Sequence, residues 1–181
     1  MSPDPDTITV RPAAAPDAAA LHTVAAATFA LACPPGTTQE DIDAFIAEHL
    51  SEERFTAYLI DGDRVLLLAE VQNVPVGYTM LVFGEPQDPD VAAALSGRPT
   101  VELSKCYVLP TQHGSGVASH LIAASVEVAH DRAAAGVWLG VNQLNARANR
   151  FYEKNSFRQV GTKRFRVGGQ WHDDFVRERT L

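Results

Sequence analysis

The spacing of apolar positions changes several times along the chain, and each change marks an element. Ile8 and Val10 alternate with Thr7 and Thr9, the period of a short strand. Asp17 stands where it can cap a helix that runs through an alanine-rich stretch to Phe29 or Leu31, where Pro34-Pro35-Gly36 stops it. Thr38 and Asp41 form a variant of the capping box, and the helix behind them has Ile42, Phe45, Ile46 and Leu50 on one face. Ser51 caps another helix, with Phe55, Tyr58 and Leu59 inward. Arg64 to Val71 reads as a buried strand, Gln72-Asn73 as a turn and Val76 to Phe83 as the antiparallel partner. Pro86 to Pro99 reads as a surface excursion with a helical turn or two, and Thr100 to Val108 as a strand. A long helix follows from Gly116 to about Ala134, with Val117, Leu121, Ala124 and Val128 inward and Gly136 as its stop. Then come a short buried strand (Val137 to Val141), a helix (Asn145 to Asn155) and strands at Phe157 to Phe165 and Trp171 to Thr180. Alternating strands and helices with no repeat or linker give an α/β or α+β class with a mixed sheet.

The 181 residues, 46% of them apolar, suit one domain spanning 1–181. No apolar run approaches the roughly 20 residues of a membrane helix. Met1 to Asp6 carry neither a basic nor an apolar signal region, so a cytoplasmic protein is expected, with no membrane partner. Cys33 and Cys106 are too few for a disulfide framework and no Cys/His cluster has zinc spacing, so free thiols and no metal are expected. The net charge of −7 divides unevenly. Residues 1–144 hold 6 Lys/Arg against 18 Asp/Glu, and residues 145–181 hold 9 against 4. The acidic part argues against a nucleic-acid partner. The basic part can serve an anionic ligand, or both can be solvated surface.

Candidate chemistry starts at the junction of the Thr100–Val108 strand and the long helix. His113-Gly114-Ser115-Gly116-Val117-Ala118 places two glycines before a helix N-terminus, whose free N–H groups and partial positive charge suit a phosphate or pyrophosphate. Such turns are also purely structural in many proteins. Val117-Ala118 stand where a nucleotide hydrolase needs Lys and Ser/Thr, and His120 where a dinucleotide fingerprint needs its third glycine.

This segment resembles the pyrophosphate loop of the GNAT acetyltransferase superfamily, Q/R-x-x-G-x-G/A, with His113 at the Gln/Arg position. Downstream, Asn145-Ala146-Arg147-Ala148-Asn149-Arg150-Phe151-Tyr152-Glu153-Lys154-Asn155-Ser156-Phe157 resembles the second signature of that superfamily, with Ser156 in place of a glycine, which should strain the turn slightly. Thr28-Phe29, Glu102 to Val108, Trp138 to Val141 and Arg177 to Leu181 are similar to the PaiA-type branch, which includes bacterial polyamine acetyltransferases.

The resemblance implies a single-domain GNAT fold, a mixed and mostly antiparallel sheet flanked by helices, and acetyl-CoA as cosubstrate. It implies N–H contacts to pyrophosphate from the loop His113, Gly114, Ser115, Gly116, Val117 and Ala118. It also implies backbone contacts to the pantetheine arm at Cys106, Tyr107 and Val108, on a strand splayed from its neighbour. Tyr152 matches the acid that protonates the departing thiolate. Asn145, Ala148 and Tyr152 share one helix face, where Asn145 can hydrogen-bond pantetheine amides and small Ala148 leaves room. Without the resemblance the same pattern is a capped amphipathic helix with an aromatic core face, and Phe151 reads as core. Glu102 matches a glutamate base that acts through water, or else is a surface carboxylate paired with a cation. His113 suits phosphate contact or exposure rather than base work, and Cys106 reads as a buried strand residue.

The acceptor is a small-molecule amine. Residues 37–63 hold eight acids (Glu40, Asp41, Asp43, Glu48, Glu52, Glu53, Asp61, Asp63) against Arg54, in the segment that walls the acceptor site in the superfamily. An acidic mouth concentrates cations, so spermidine or spermine is the implied acceptor. An acetyl-CoA-binding regulator of the same fold without strong catalysis is the alternative, and a homodimer is left open.

Overall fold

The alternation along residues 64–83 folds into the hairpin around which the molecule is built. A computed structural model describes residues 7–181; the expectation about Met1 to Asp6 lies outside them. Strands β2 (Arg64–Val71) and β3 (Val74–Phe83) are joined through Gln72 and Asn73, at φ +52° and +61°. Both central residues are left-handed, which matches the twist of the two strands. β1 (Ile8–Pro12) pairs antiparallel with β2, and β4 (Thr100–Val108) antiparallel with β3. β5 (Gly136–Asn142), β6 (Arg158–Val167) and β7 (Gln170–Thr180) complete one sheet in the order β1-β2-β3-β4-β5-β7-β6. Only β4 and β5 run parallel, so the sheet is mixed and mostly antiparallel.

Helices α1 (Ala18–Ala32), α2 (Gln39–His49) and α3 (Glu52–Ile60) cover one face, where Leu21, Val24, Phe29 and Phe55 pack on Leu66, Leu68, Tyr78 and Met80. Thr38 and Ser51 cap α2 and α3 by accepting the N–H groups of Asp41 and Arg54, both at 3.1 Å. The other face carries α5 (Val117–Asp131) and α6 (Ala146–Lys154), with Ile122, Phe151 and Tyr152 against Leu81, Leu103, Leu139 and Phe157. Among the described residues no helix is long and apolar enough to cross a membrane.

Three expectations change. Asp17 precedes α1 but does not cap it. It closes a 3-10 turn at Ala15–Asp17, and its carboxylate accepts the Ala14 N–H (2.8 Å) and both terminal nitrogens of Arg11 (2.9 Å). The guanidinium is the stronger donor, and it also bonds Glu70 (3.0 Å), so the side chain ties β1 to β2 instead. The long helix ends at Asp131, short of the expected Ala134, and Gly136, the expected stop, already belongs to β5. Ala133, at φ +58°, ends it, with the Ala134 N–H on the Ala129 carbonyl and the Ala133 N–H on that of His130. Finally, residues 86–99 are not only surface. Helix α4 (Pro89–Ala94) buries Val91, with Leu95 just beyond it, against Trp138 and Val176, and the buried Glu178 carboxylate accepts the Ser96 N–H at 3.0 Å.

Candidate active site

The site begins where the sheet comes apart. β4 and β5 pair only through Thr100–Gly136, Val101–Val137 and Glu102–Trp138. One extra residue then enters β4, because Met80 faces Lys105 while Leu81 faces Leu103, leaving Ser104 as a bulge. A bulge bends its strand, and here β4 leaves β5 at that point. A cavity of about 390 Å³ opens between them. Beyond Glu102 no residue of β4 has a ladder partner in β5, which is the parting that the resemblance implies.

At one end of the cavity lies the glycine loop. Gly114 and Gly116 sit at φ +82° and +95°, conformations that a side chain disfavours. A Cβ would meet nothing within 4 Å at Gly114 and nothing closer than 3.8 Å at Gly116, so the protein itself demands the left-handed backbone there rather than space. The first-turn N–H groups of α5 at Val117 and Ala118 have no upstream carbonyl within the helix and carry partial positive charge. The Val117 side chain is buried in the core beside Leu121, so only its backbone can serve a ligand. The Ser115 hydroxyl is spent on the Gln112 carbonyl at 2.6 Å.

His113 has both ring nitrogens engaged. Nε2 lies 3.0 Å from the Val108 carbonyl, which only accepts, and Nδ1 lies 2.6 Å from Arg147 Nη1, which only donates. The ring is therefore the neutral Nε2–H tautomer. It ties the loop to the end of β4 and holds the Arg147 guanidinium at the cavity mouth. Arg147 lay inside the second signature, at a position the signature leaves unspecified, and was not singled out.

Helix α6 supplies the opposite wall through Asn145, Ala148 and Tyr152, which face the cavity together with Phe151. Asn145 caps the helix by accepting the Ala148 N–H at 3.0 Å. Its Oδ1 already accepts one hydrogen bond there, and its amide nitrogen is free of protein acceptors among the described residues. The helix is fixed from below by the buried Arg177, which donates to Asn149 Oδ1 (3.0 Å), Glu153 Oε1 (3.0 Å) and the Phe157 carbonyl (3.2 Å). Tyr152 packs against Phe157, and its hydroxyl lies near enough to the Cys106 thiol for each group to perturb the other. Burial lifts Tyr152 well above the usual phenol range and pushes Cys106 up to about 12.

The remaining wall is charged. Glu102 and Lys105 on β4, Lys163 on β6 and Asp174 on β7 all line it. Burial raises the Glu102 carboxyl, against the pull of Lys163, Lys105 and Arg64. Burial brings the Lys105 ammonium down to about 8 and Asp174 up to about 6. Phe29, Phe45 and Phe165 close this end, with the first two rings stacked 4.3 Å apart. Sequence reasoning found Glu102 and missed the other three. Lys105 was one of several polar residues in its strand, and the pairing that brings Lys163 and Asp174 together is a property of the sheet. The eight acids of residues 37–63 do not line the cavity. α2 turns Phe45 toward it, and seven of the eight acids are exposed. The amphipathic period of α2 places its apolar stripe inward, which sends its carboxylates to solvent.

The model of the acetyltransferase (GNAT) family matches residues 30–157. An N-acetyltransferase of Mycobacterium tuberculosis, itself described as uncharacterised, is 44% identical over 165 residues, covering 91% of this chain and 98% of that protein. The fold is similar to that of the PaiA N-acetyltransferase of Thermoplasma acidophilum in complex with coenzyme A, with a TM-score of 0.77 at 20% identity over 97% of this chain and 99% of the other. It is also similar to the ribosomal-protein-S18-alanine N-acetyltransferase of Escherichia coli, with a TM-score of 0.67 at 14% identity over 97% and 94% of the two chains.

Proposed function

The chain belongs to the GNAT acetyltransferase family and is an acetyl-CoA-dependent N-acetyltransferase, and from that premise we propose that it acetylates a primary amine seated against Glu102, with Tyr152 as the acid. The observation that carries this reading is that Tyr152 and Glu102 line one cavity, which opens where β4 parts from β5.

Acetyl-CoA supplies the acetyl thioester. The N–H groups at Gly116, Val117 and Ala118 and the guanidinium of Arg147 offer positive charge to its pyrophosphate. Tyr107, Cys106 and Val108 offer peptide groups along the parted edge of β4, and an N–H there polarises the thioester carbonyl. Glu102 takes the proton of the incoming ammonium, directly or through water. Its raised pKa makes it a stronger base than an exposed carboxylate. Tyr152 gives its proton to the departing sulfur. A phenol lifted above 10 would be a poor acid beside an ordinary thiol. The same burial, however, raises the Cys106 thiol to about 12, so a thiolate leaving in this cavity is a correspondingly stronger base.

Spermidine or spermine, the acceptor implied by the sequence resemblance, retains the two cavity carboxylates Glu102 and Asp174 as support. It loses the eight acids of residues 37–63, which lie outside. The test of the acid is Tyr152→Phe. Turnover with a primary amine is expected to fall about 10²- to 10⁴-fold, while the thermal stabilisation given by acetyl-CoA is retained. Turnover at the native level would return Tyr152 to a packing role.

A further inference from the structure

We propose that the acceptor carries a carboxylate beside its reacting amine, and that Lys105 and Lys163 receive this carboxylate while Glu102 and Asp174 flank the ammonium. The inference rests on the acetyltransferase reading and narrows its substrate to an amino acid or a similar zwitterion.

The chain has three lysines, Lys105, Lys154 and Lys163, and two of them line this one cavity. Lys105 is half-buried there, on the strand that also carries Glu102. Among the described residues no ion pair or hydrogen bond involves its ammonium, and none involves Lys163. A half-buried ammonium without a counter-ion is costly, and a ligand anion removes that cost. The four charges alternate in sign. Glu102 acts on Lys105, and Lys163 acts on both Glu102 and Asp174. Yet no two approach to contact, which leaves room for a ligand between them.

The sheet builds this array deliberately. Lys163 and Asp174 are opposite each other across β6 and β7. Both side chains lie over Gly140 of β5, where a Cβ would run into Lys163 and come within 3.2 Å of the Asp174 carboxylate. The stacked rings of Phe29 and Phe45, with Phe165 at 5.9 Å from Phe45, shut out water and lengthen the reach of each charge. A polycation fits this wall less well. Its second ammonium would meet Lys105 or Lys163, whereas a zwitterion finds a partner of opposite sign for each end.

The test compares acceptors of equal chain length that differ at one end: an ω-amino acid, the n-alkylamine and the α,ω-diamine, from two to six carbons. At the best length, kcat/KM for the amino acid is expected to exceed that for the alkylamine at least tenfold, with the diamine last. Protein saturated with CoA is expected to melt higher with the amino acid than with the diamine, a reading independent of turnover. Lys163→Glu should reverse the order of amino acid and diamine, and Lys105→Met should bring the ratio of amino acid to alkylamine toward one. If the alkylamine or the diamine equals or beats the amino acid at every length, the proposal is overturned while the acetyltransferase reading stands. If no amine of any kind releases CoA, both are overturned.

Discussion

Lys105 shows how one residue can serve a site at the expense of the fold. Its ammonium titrates near 8 instead of near 10.4, chiefly through burial, with Glu102 of the same strand opposing the shift and Arg64 from β2 adding to it. The unfolded chain therefore binds more protons between about pH 8 and 10.4, and stability contributed at this residue rises with pH across that window. Below pH 8 the cost of burying the charge is present in full. Lys105→Met is expected to stabilise the protein by about 1–2 kcal/mol at pH 7, part of the gain being offset because Glu102 loses a favourable neighbour. The gain should shrink toward nothing by pH 10.4, as read by denaturant unfolding at the two pH values. An equal gain at both would assign the effect to methionine packing and not to charge. In the sequence Lys105 was one polar residue in a strand, with nothing to say that its side chain entered a cavity.

At the scale of elements, the helix ends separate what local chemistry decides from what it leaves open. Thr38 and Ser51 were readable as caps because a hydroxyl before an apolar period has few better uses. Asp17 was not, since Arg11 competes for its carboxylate across the turn. Helix α6 ends at Ser156, φ +69°, where the Phe157 N–H reaches the Tyr152 carbonyl at 3.0 Å and the Ser156 N–H that of Glu153 at 3.1 Å. A glycine is the residue that this conformation favours. Ser156→Gly is expected to raise stability by about 0.5–1 kcal/mol, visible as a higher Tm with turnover unchanged. A lower Tm would mean that the unfolded chain gains more entropy from glycine than the turn loses in strain. The same logic explains the stop of α5, which a glycine was expected to supply and Ala133 supplies instead: an αL position tolerates alanine at modest cost, and nothing in the local composition announces it.

Across the whole molecule, the last strand and helix α6 are coupled through Arg177. The guanidinium is buried, lies 3.0 Å from the Glu153 carboxylate and also holds Asn149 and the Phe157 carbonyl. Asn149 in turn donates to the Asn142 carbonyl at 3.0 Å, so β5, α6, the turn after it and β7 share one network. Arg177→Met leaves a buried amide oxygen and a backbone carbonyl without their donor. Breaking a buried charged network typically costs about 3–5 kcal/mol, and the exposure of Glu153 places this case toward the lower end. Turnover should fall as well, because α6 carries Tyr152. Full stability in the variant, measured by denaturant unfolding, would show that packing alone holds the helix.

The sequence by itself determined the order and bounds of most elements, the GNAT family and the residues of the two signatures. Period, caps and turn residues act over a few positions, and the glycine loop and α6 are each continuous in the chain. β2 and β4 fall where the sequence placed them. Tertiary structure alone decided the rest. Glu102, Lys105, Lys163 and Asp174 come from three strands, and their meeting depends on a bulge at Ser104, on the register of β6 with β7 and on the missing side chain of Gly140. The direction of the acidic helix faces was decided in the same way. Eight carboxylates close in sequence suggested an acidic mouth, but burying Ile42, Phe45 and Leu50 turned the opposite face of α2 outward. The charge that the acceptor meets is set by which side chains the sheet encloses, and enclosure is a relation between distant segments that no local pattern records.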